Sequence, residues 1–174
     1  MSSYRTPSIS AYYWRAFYTF SRAEKKCERR LEEKKIDVFL PVQTVVRQWK
    51  DRKKKVQEPL FRNYIFARVD ERERIQVLST PGIVRCIAFG GVPVIVTEEE
   101  IEQIRLLQSH PGKIERVETP ARLIGSNVKI ESGSMRGLKG KVIETRGKTR
   151  LIVQITSLNI DFKVDVPYSF TKSA

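Results

Sequence analysis

Histidine is almost missing from this chain: His110 is the only one among 174 residues. It stands beside Pro111 in a stretch with loop chemistry, so no serine gains a credible general base from it. Cysteine is scarce too. Cys27 and Cys86 are too few for a disulfide framework, and no group of Cys, His and carboxylate residues has metal-ligand spacing. Both cysteines read as small core residues. A phosphate-cradling glycine loop is absent: Gly90-Gly91 is followed by Pro93 and reads as a turn. No apolar run is long enough to cross a bilayer, and the Ser- and Tyr-rich start lacks the apolar centre of a signal peptide. These absences point away from an enzyme, a cofactor, a metal and a membrane. They leave a cytoplasmic monomer that works by binding.

Acidic charge is the next shortage. Against 33 Lys and Arg stand 20 Asp and Glu, a formal net charge of +13. Residues 1–110 hold 21 basic and 14 acidic side chains and residues 111–174 hold 12 and 6, so the excess is not a basic tail. A polyanion suits such a chain, nucleic acid before an anionic membrane. The densest cluster is Arg47, Lys50, Arg52, Lys53, Lys54 and Lys55, with Asp51 as its one acid. Strand-like patterns flank it, which makes it the tip of a long hairpin. It reads either as a solvated loop that discourages edge association or as a phosphate contact made by residues such as Lys53 and Lys54. Trp49 beside it suits either stacking on a base or capping the apolar layer of the hairpin.

The patterning predicts a mixed chain. Residues 1–12 have little to bury and read as a loose arm. Residues 14–20 predict a strand. Ser21, with Glu24 three residues on, predicts a capping box and a helix whose thin apolar stripe is Ala23, Cys27 and Leu31. Around that stripe sit Arg22, Lys25, Lys26, Arg29 and Arg30, read either as a solvated face paired with neighbouring glutamates or as a nucleic-acid contact. Residues 37–49 predict a strand bent or edged at Pro41, 56–69 its return, 71–78 a short helix and 83–89 a further strand. Thr97 and Glu100 predict a second capping box, with Ile101, Ile104 and Leu107 as the buried side of the helix. Residues 109–122, with Pro111, Gly112 and Pro120, are the linker candidate. Beyond them, alternating runs at 127–131, 139–145, 150–156 and 161–166 predict a small closed or nearly closed β-barrel.

Two patterns are more particular. The run Glu58-Pro59-Leu60-Phe61-Arg62-Asn63-Tyr64-Ile65-Phe66 reads as a turn into a strand, with Tyr64 and Phe66 on one face. A docking surface and a plain core strand both fit it, and the core reading is the simpler. In the C-terminal region Gly125, Val128-Lys129-Ile130, Gly133, Gly137, Gly140 and Val142 resemble the KOW motif of transcription and ribosomal proteins. Gly133, Gly137 and Gly140 are its structural positions, suited to tight turns and close strand approach.

With these features the chain resembles the NusG family of transcription elongation factors, and among them the specialised RfaH-like and UpxY-type antiterminators. The resemblance implies an α+β fold: an NGN-type α/β sandwich with a mainly antiparallel sheet at 13–110, a linker at 111–122, and an SH3-like KOW β-barrel at 123–174, preceded by the arm at 1–12. It implies docking on the clamp helices of the RNA polymerase β′ subunit through Tyr18, Phe61, Tyr64 and Phe66. It implies a contact with the β gate loop through Arg72, Glu73, Arg74 and Gln76. It implies non-template DNA contact through Ser21, Arg22, Lys26 and Arg30, with Thr80 nearby; Lys25 and Arg29 lie in the same basic helix. Its barrel would recruit Rho or a small-subunit ribosomal protein. The function implied is processive, operon-specific transcription of the surface-polysaccharide type. A general NusG acting on all transcripts, and a KOW-type ribosomal or RNA-binding protein without polymerase contact, are the rival readings. Residues 151–155 and 162–166 favour strands, so the barrel is expected to be stable without a helical alternative.

Overall fold

The computed structural model describes residues 11–49, 51–110, 114–117, 125–145, 148–166 and 171–173. Most of the expected arm, Lys50, and Pro111, Gly112 and Pro120 of the expected linker lie outside the described residues. Compactness divides the chain into two units, one of residues 1–40 and 62–96, the other of 41–61 and 97–174. This division runs differently from the expected boundary at 110.

The first unit is a four-stranded antiparallel sheet with two helices. Its strands are β1 (Tyr13–Thr19), β2 (Asp37–Phe39), β5 (Tyr64–Val69) and β6 (Ile83–Cys86), in the order β2-β5-β1-β6. Alternation decides which side chains share a face. Phe17 stands opposite Ile65, while Ala16 stands opposite Phe66 and Tyr18 opposite Tyr64. Phe17, Ile65, Ala67 and Val69 are all fully buried. The helix α1 (Glu24–Glu33) buries Cys27 and Leu31, and α2 (Glu71–Leu78) buries Val77. Asp70 caps α2 by accepting a hydrogen bond from the Glu73 N–H at 2.8 Å. A short ribbon, β7 (Ala88–Phe89) with β8 (Val92–Pro93), turns at Gly90-Gly91 as the sequence predicts.

Two sequence expectations in this region are corrected. The capping box at Ser21 does not form: α1 starts at Glu24, and Ala23 at its N-cap makes no side-chain hydrogen bond. Arg22 is left-handed (φ 62°), which keeps it out of the helix, and Glu24 is used elsewhere. Its carboxylate is buried and accepts the Asn63 N–H at 2.8 Å. The returning strand expected at 56–69 is two strands. Asn63 (φ 65°) turns the chain, its carbonyl accepting the Thr19 N–H at 2.8 Å, so β5 joins a different sheet from the residues before it.

The second unit opens with the predicted hairpin, β3 (Val42–Gln48) and β4 (Lys53–Pro59), paired from Val42↔Pro59 to Gln48↔Lys53. Pro41 breaks it from β2, where the sequence suggested a bend. The helix α3 (Glu98–Gln108) carries the predicted capping box: the Glu100 N–H donates to Thr97 Oγ1 at 3.2 Å, and the Thr97 N–H donates to Glu100 Oε2 at 3.0 Å. Ile101, Ile104 and Leu107 are fully buried, as expected.

Six antiparallel strands complete this unit. They are β9 (Ile114–Val117), β10 (Ser126–Ile130), β11 (Lys139–Thr145), β12 (Lys148–Ile155), β13 (Ile160–Asp165) and β14 (Thr171–Ser173), in the order β14-β10-β11-β12-β13-β9. The four predicted runs are β10 to β13. The sheet is open, since no ladder joins β14 to β9 among the described residues. Nor is the expected linker free of structure: Ile114 pairs with Val164 and is buried, which recruits four linker residues as an edge strand. Gly137 (φ 98°) donates its N–H to the Ile130 carbonyl, and a Cβ on Gly140 would run into the Ile152 carbonyl. Gly133 closes the same turn, its carbonyl accepting the Arg136 N–H at 3.2 Å.

Candidate functional site

The face of the first unit's sheet that carries Tyr18 and Tyr64 is a row of rings. At one end Trp14 stands edge-on to Phe39 at 6.4 Å, and Phe39 is 6.2 Å from Phe66. Trp14 is 4% exposed and Phe66 0%. At the other end Tyr18 and Tyr64, direct partners across β1 and β5, meet edge-on at 5.5 Å. Both are only half-buried. The Arg85 guanidinium lies 5.6 Å from the Tyr18 ring centre, because β6 sets Arg85 opposite Tyr18. This end of the row offers two ring edges and a cation, a surface that an apolar or aromatic partner with a carboxylate could match.

Of the four expected docking residues, the structure brings Tyr18 and Tyr64 together at the surface. Phe66 shares their face as buried core. Phe61 belongs to the second unit, where it is 1% exposed and packs edge-on against Phe162 at 4.8 Å. Neither phenylalanine is an accessible contact here. Arg85 is the residue that sequence reasoning missed. Its strand was predicted, but the pairing of Arg85 with Tyr18 depends on a register shift between Tyr18 and Thr19 that no local signal marks.

The expected gate-loop residues lie along α2. Arg72 and Gln76 are exposed, and Glu73 accepts a long hydrogen bond from the Tyr12 hydroxyl at 3.4 Å. Arg74 is tied to Glu71 at 2.7 Å. Tyr12 feels the Glu73 carboxylate first and burial second, and its phenol pKa is raised.

The expected nucleic-acid residues include two, Arg30 and Thr80, that are already tied within this unit. Arg30 donates to the Pro81 carbonyl at 2.6 Å. Lys34 donates to Thr80 Oγ1 at 2.7 Å, and Thr80 donates to the Gln76 carbonyl at 2.9 Å. Thr80 is 1% exposed, so it is a strut between α1 and α2 rather than a surface contact. Ser21, Arg22, Lys25, Lys26 and Arg29 are exposed. Arg22 sits in the turn before α1, so of these cations the helix itself carries Lys25, Lys26, Arg29 and Arg30. In the hairpin, Lys53 and Lys54 are exposed, and Arg47 is paired with Glu58 at 2.6 Å.

Burial pushes the thiols of both Cys27 and Cys86 up, away from the thiolate a nucleophile needs. Burial also lowers the pKa of His110, with Asp165 opposing it. Among the described residues, no helix is long and apolar enough to cross a membrane, and no group of His, Cys, Asp and Glu could hold a metal ion.

Comparison with known proteins gives this arrangement a context. A solved structure described as "Domain interaction in Thermotoga maritima NusG" is similar with a TM-score of 0.56, at 23% identity over 93% of this chain and 97% of that one. That likeness is one of fold. A second, "Crystal Structure of MjSpt4:Spt5 complex conformation B", has a TM-score of 0.31 and 18% identity over 92% of this chain and 96% of that one. The family model described as transcription termination factor NusG matches residues 12–105. That match spans more than half of the sequence, and the chain belongs to the NusG family of transcription factors.

Proposed function

We propose that this chain is a transcription elongation and antitermination factor that binds RNA polymerase through the open end of its aromatic row. Membership of the NusG family supports a role in transcription. The observation that carries the docking reading is the half-buried pair Tyr18 and Tyr64 with Arg85 over it. Two tyrosines that expose their rings have hydroxyls free to meet solvent or a partner, and they supply area at low entropic cost. The partner surface is the clamp helices of the β′ subunit. Arg72, Glu73, Arg74 and Gln76 on α2 reach the β gate loop. A ligand that spans both elements of the closed clamp binds that state better and shifts the polymerase towards elongation.

DNA contact comes from Arg22 in the turn before α1 and from Lys26 and Arg29 on the helix, cations with no side-chain partner among the described residues, with Ser21 and Lys25, and from Lys53 and Lys54. The functional domains are 13–110 and 123–174, and the C-terminal strands recruit Rho or a small-subunit ribosomal protein. The specialist, operon-restricted role rests on the resemblance of the sequence to RfaH-like and UpxY-type factors.

Transcription through a pause site tests the reading. Adding the protein to purified polymerase should shorten pause dwell and raise readthrough, and Arg22→Ala with Lys26→Ala should weaken the effect. Unchanged pausing with wild-type protein would contradict it. Occupancy of the tagged protein across a genome separates specialist from generalist: one or a few operons, or all.

A further inference from the structure

The distal half of the β3–β4 hairpin is exposed on both of its faces. Register sorts its side chains. Val46, Gln48, Lys53 and Lys55 share one face, because Val46 pairs with Lys55 and Gln48 with Lys53. Arg47 and Lys54 share the other. All six are exposed, as is Arg52 at the turn. Arg47 is neutralised by Glu58. Arg52, Lys53, Lys54 and Lys55 have no side-chain partner among the described residues, and Asp51 is the one acid beside them.

Cations on both faces of a narrow ribbon are poorly matched to a single phosphate chain, which can meet only one face at a time. They match a groove, whose two walls are phosphate chains. The major groove of B-form DNA, about 12 Å wide, admits a two-stranded ribbon. The deep, narrow major groove of A-form RNA does not. The hairpin's seven paired positions span about 24 Å at about 3.4 Å per residue, long enough to enter such a groove from its tip.

We propose that the tip of the β3–β4 hairpin is a finger that seats in the major groove of duplex DNA, Lys53 and Lys55 meeting one phosphate wall and Lys54 the other. This deepens the nucleic-acid reading of the hairpin and rests on it, and it is independent of polymerase docking. Binding is sequence-tolerant, because phosphate contacts carry position rather than base identity.

The test is fluorescence anisotropy of the full chain, without polymerase, on a mixed-sequence DNA duplex, its single strand and an RNA duplex of the same sequence. Lys53→Gln with Lys54→Gln and Lys55→Gln should weaken duplex DNA binding at least tenfold. It should also make the slope of log affinity against log salt shallower by about 2.7, at about 0.9 for each lost phosphate contact. Lys54→Gln alone and Lys53→Gln with Lys55→Gln should each reduce the slope. Circular dichroism checks that these exposed substitutions leave the fold unchanged. Lys35→Gln, which removes an exposed cation outside the hairpin and outside the proposed DNA contacts, should leave duplex binding within about twofold. A slope change confined to one face of the hairpin would overturn groove seating. So would equal losses on the single strand or the RNA duplex, or an equal loss of duplex binding from the Lys35 variant.

Discussion

The aromatic row has two ends made of the same chemistry and built for different work. At the Trp14–Phe39–Phe66 end the rings have no polar atom that must reach water, apart from the indole of Trp14, and Phe66 is sealed. At the Tyr18–Tyr64 end each ring carries a hydroxyl, stays half-exposed and gathers a guanidinium. The sheet provides one continuous face, and side-chain polarity decides where along it the core stops and a surface begins. Positions that are two apart on one strand, Tyr64 and Phe66, fall on opposite sides of that limit.

The sharpest way to break this comparison is to shorten both ends. Phe66→Ala should cost about 3–5 kcal/mol of stability, the usual range for emptying a buried ring site. Tyr18→Ala or Tyr64→Ala should cost only about 1–2 kcal/mol, since part of each ring is already wet. Urea denaturation of the three variants gives the answer, and equal costs would erase the distinction. Glu24→Ala should fall next, at about 1–3 kcal/mol, because it leaves the Asn63 N–H without its acceptor next to Tyr64. Glu24→Gln keeps an acceptor oxygen and should recover much of that loss.

Arg85→Ala should cost less again. An exposed cation over a ring is worth about 0.5–1 kcal/mol, so its effect should appear in partner binding more than in melting. The smallest effect belongs to His110 in the second unit. Burial lowers its folded pKa below the unfolded value, so the folded state takes up its proton later than the unfolded chain does. Stability from this source is whole above the unfolded value of about 6.5 and falls as pH drops through the folded pKa. Melting temperatures at pH 7.5 and 5.5 should differ less in His110→Gln than in the wild type. That comparison separates acid destabilisation from any pH effect on docking.

Much of the fold was legible because periodicity and turn chemistry agree with it. The capping box at Thr97, the Gly90-Gly91 turn and the alternation of β10 to β13 all stand where the sequence puts them. The failures share a cause. Ser21 and Glu24 satisfy the spacing of a capping box, but a distant N–H, that of Asn63, has the stronger claim on Glu24. Ile114 and Val117 are too few to show a period, yet β13 offers them an edge to pair with. The candidate site was legible by residue type and illegible by exposure. Tyr64, Phe66 and Phe61 look alike in a linear motif, and only packing reveals that two of the three are covered.

Docking is tested at the tyrosines, since Phe61→Ala would disturb packing against Phe162 as well as any docking. The measurement is the affinity of the full chain for purified RNA polymerase, comparing wild type with Tyr18→Ala plus Tyr64→Ala, with circular dichroism and melting as checks on the fold. Loss of about 2–4 kcal/mol of binding, the range of interface hot spots, with the fold intact is the predicted result. A folded double variant that binds polymerase as tightly as the wild type would contradict the account.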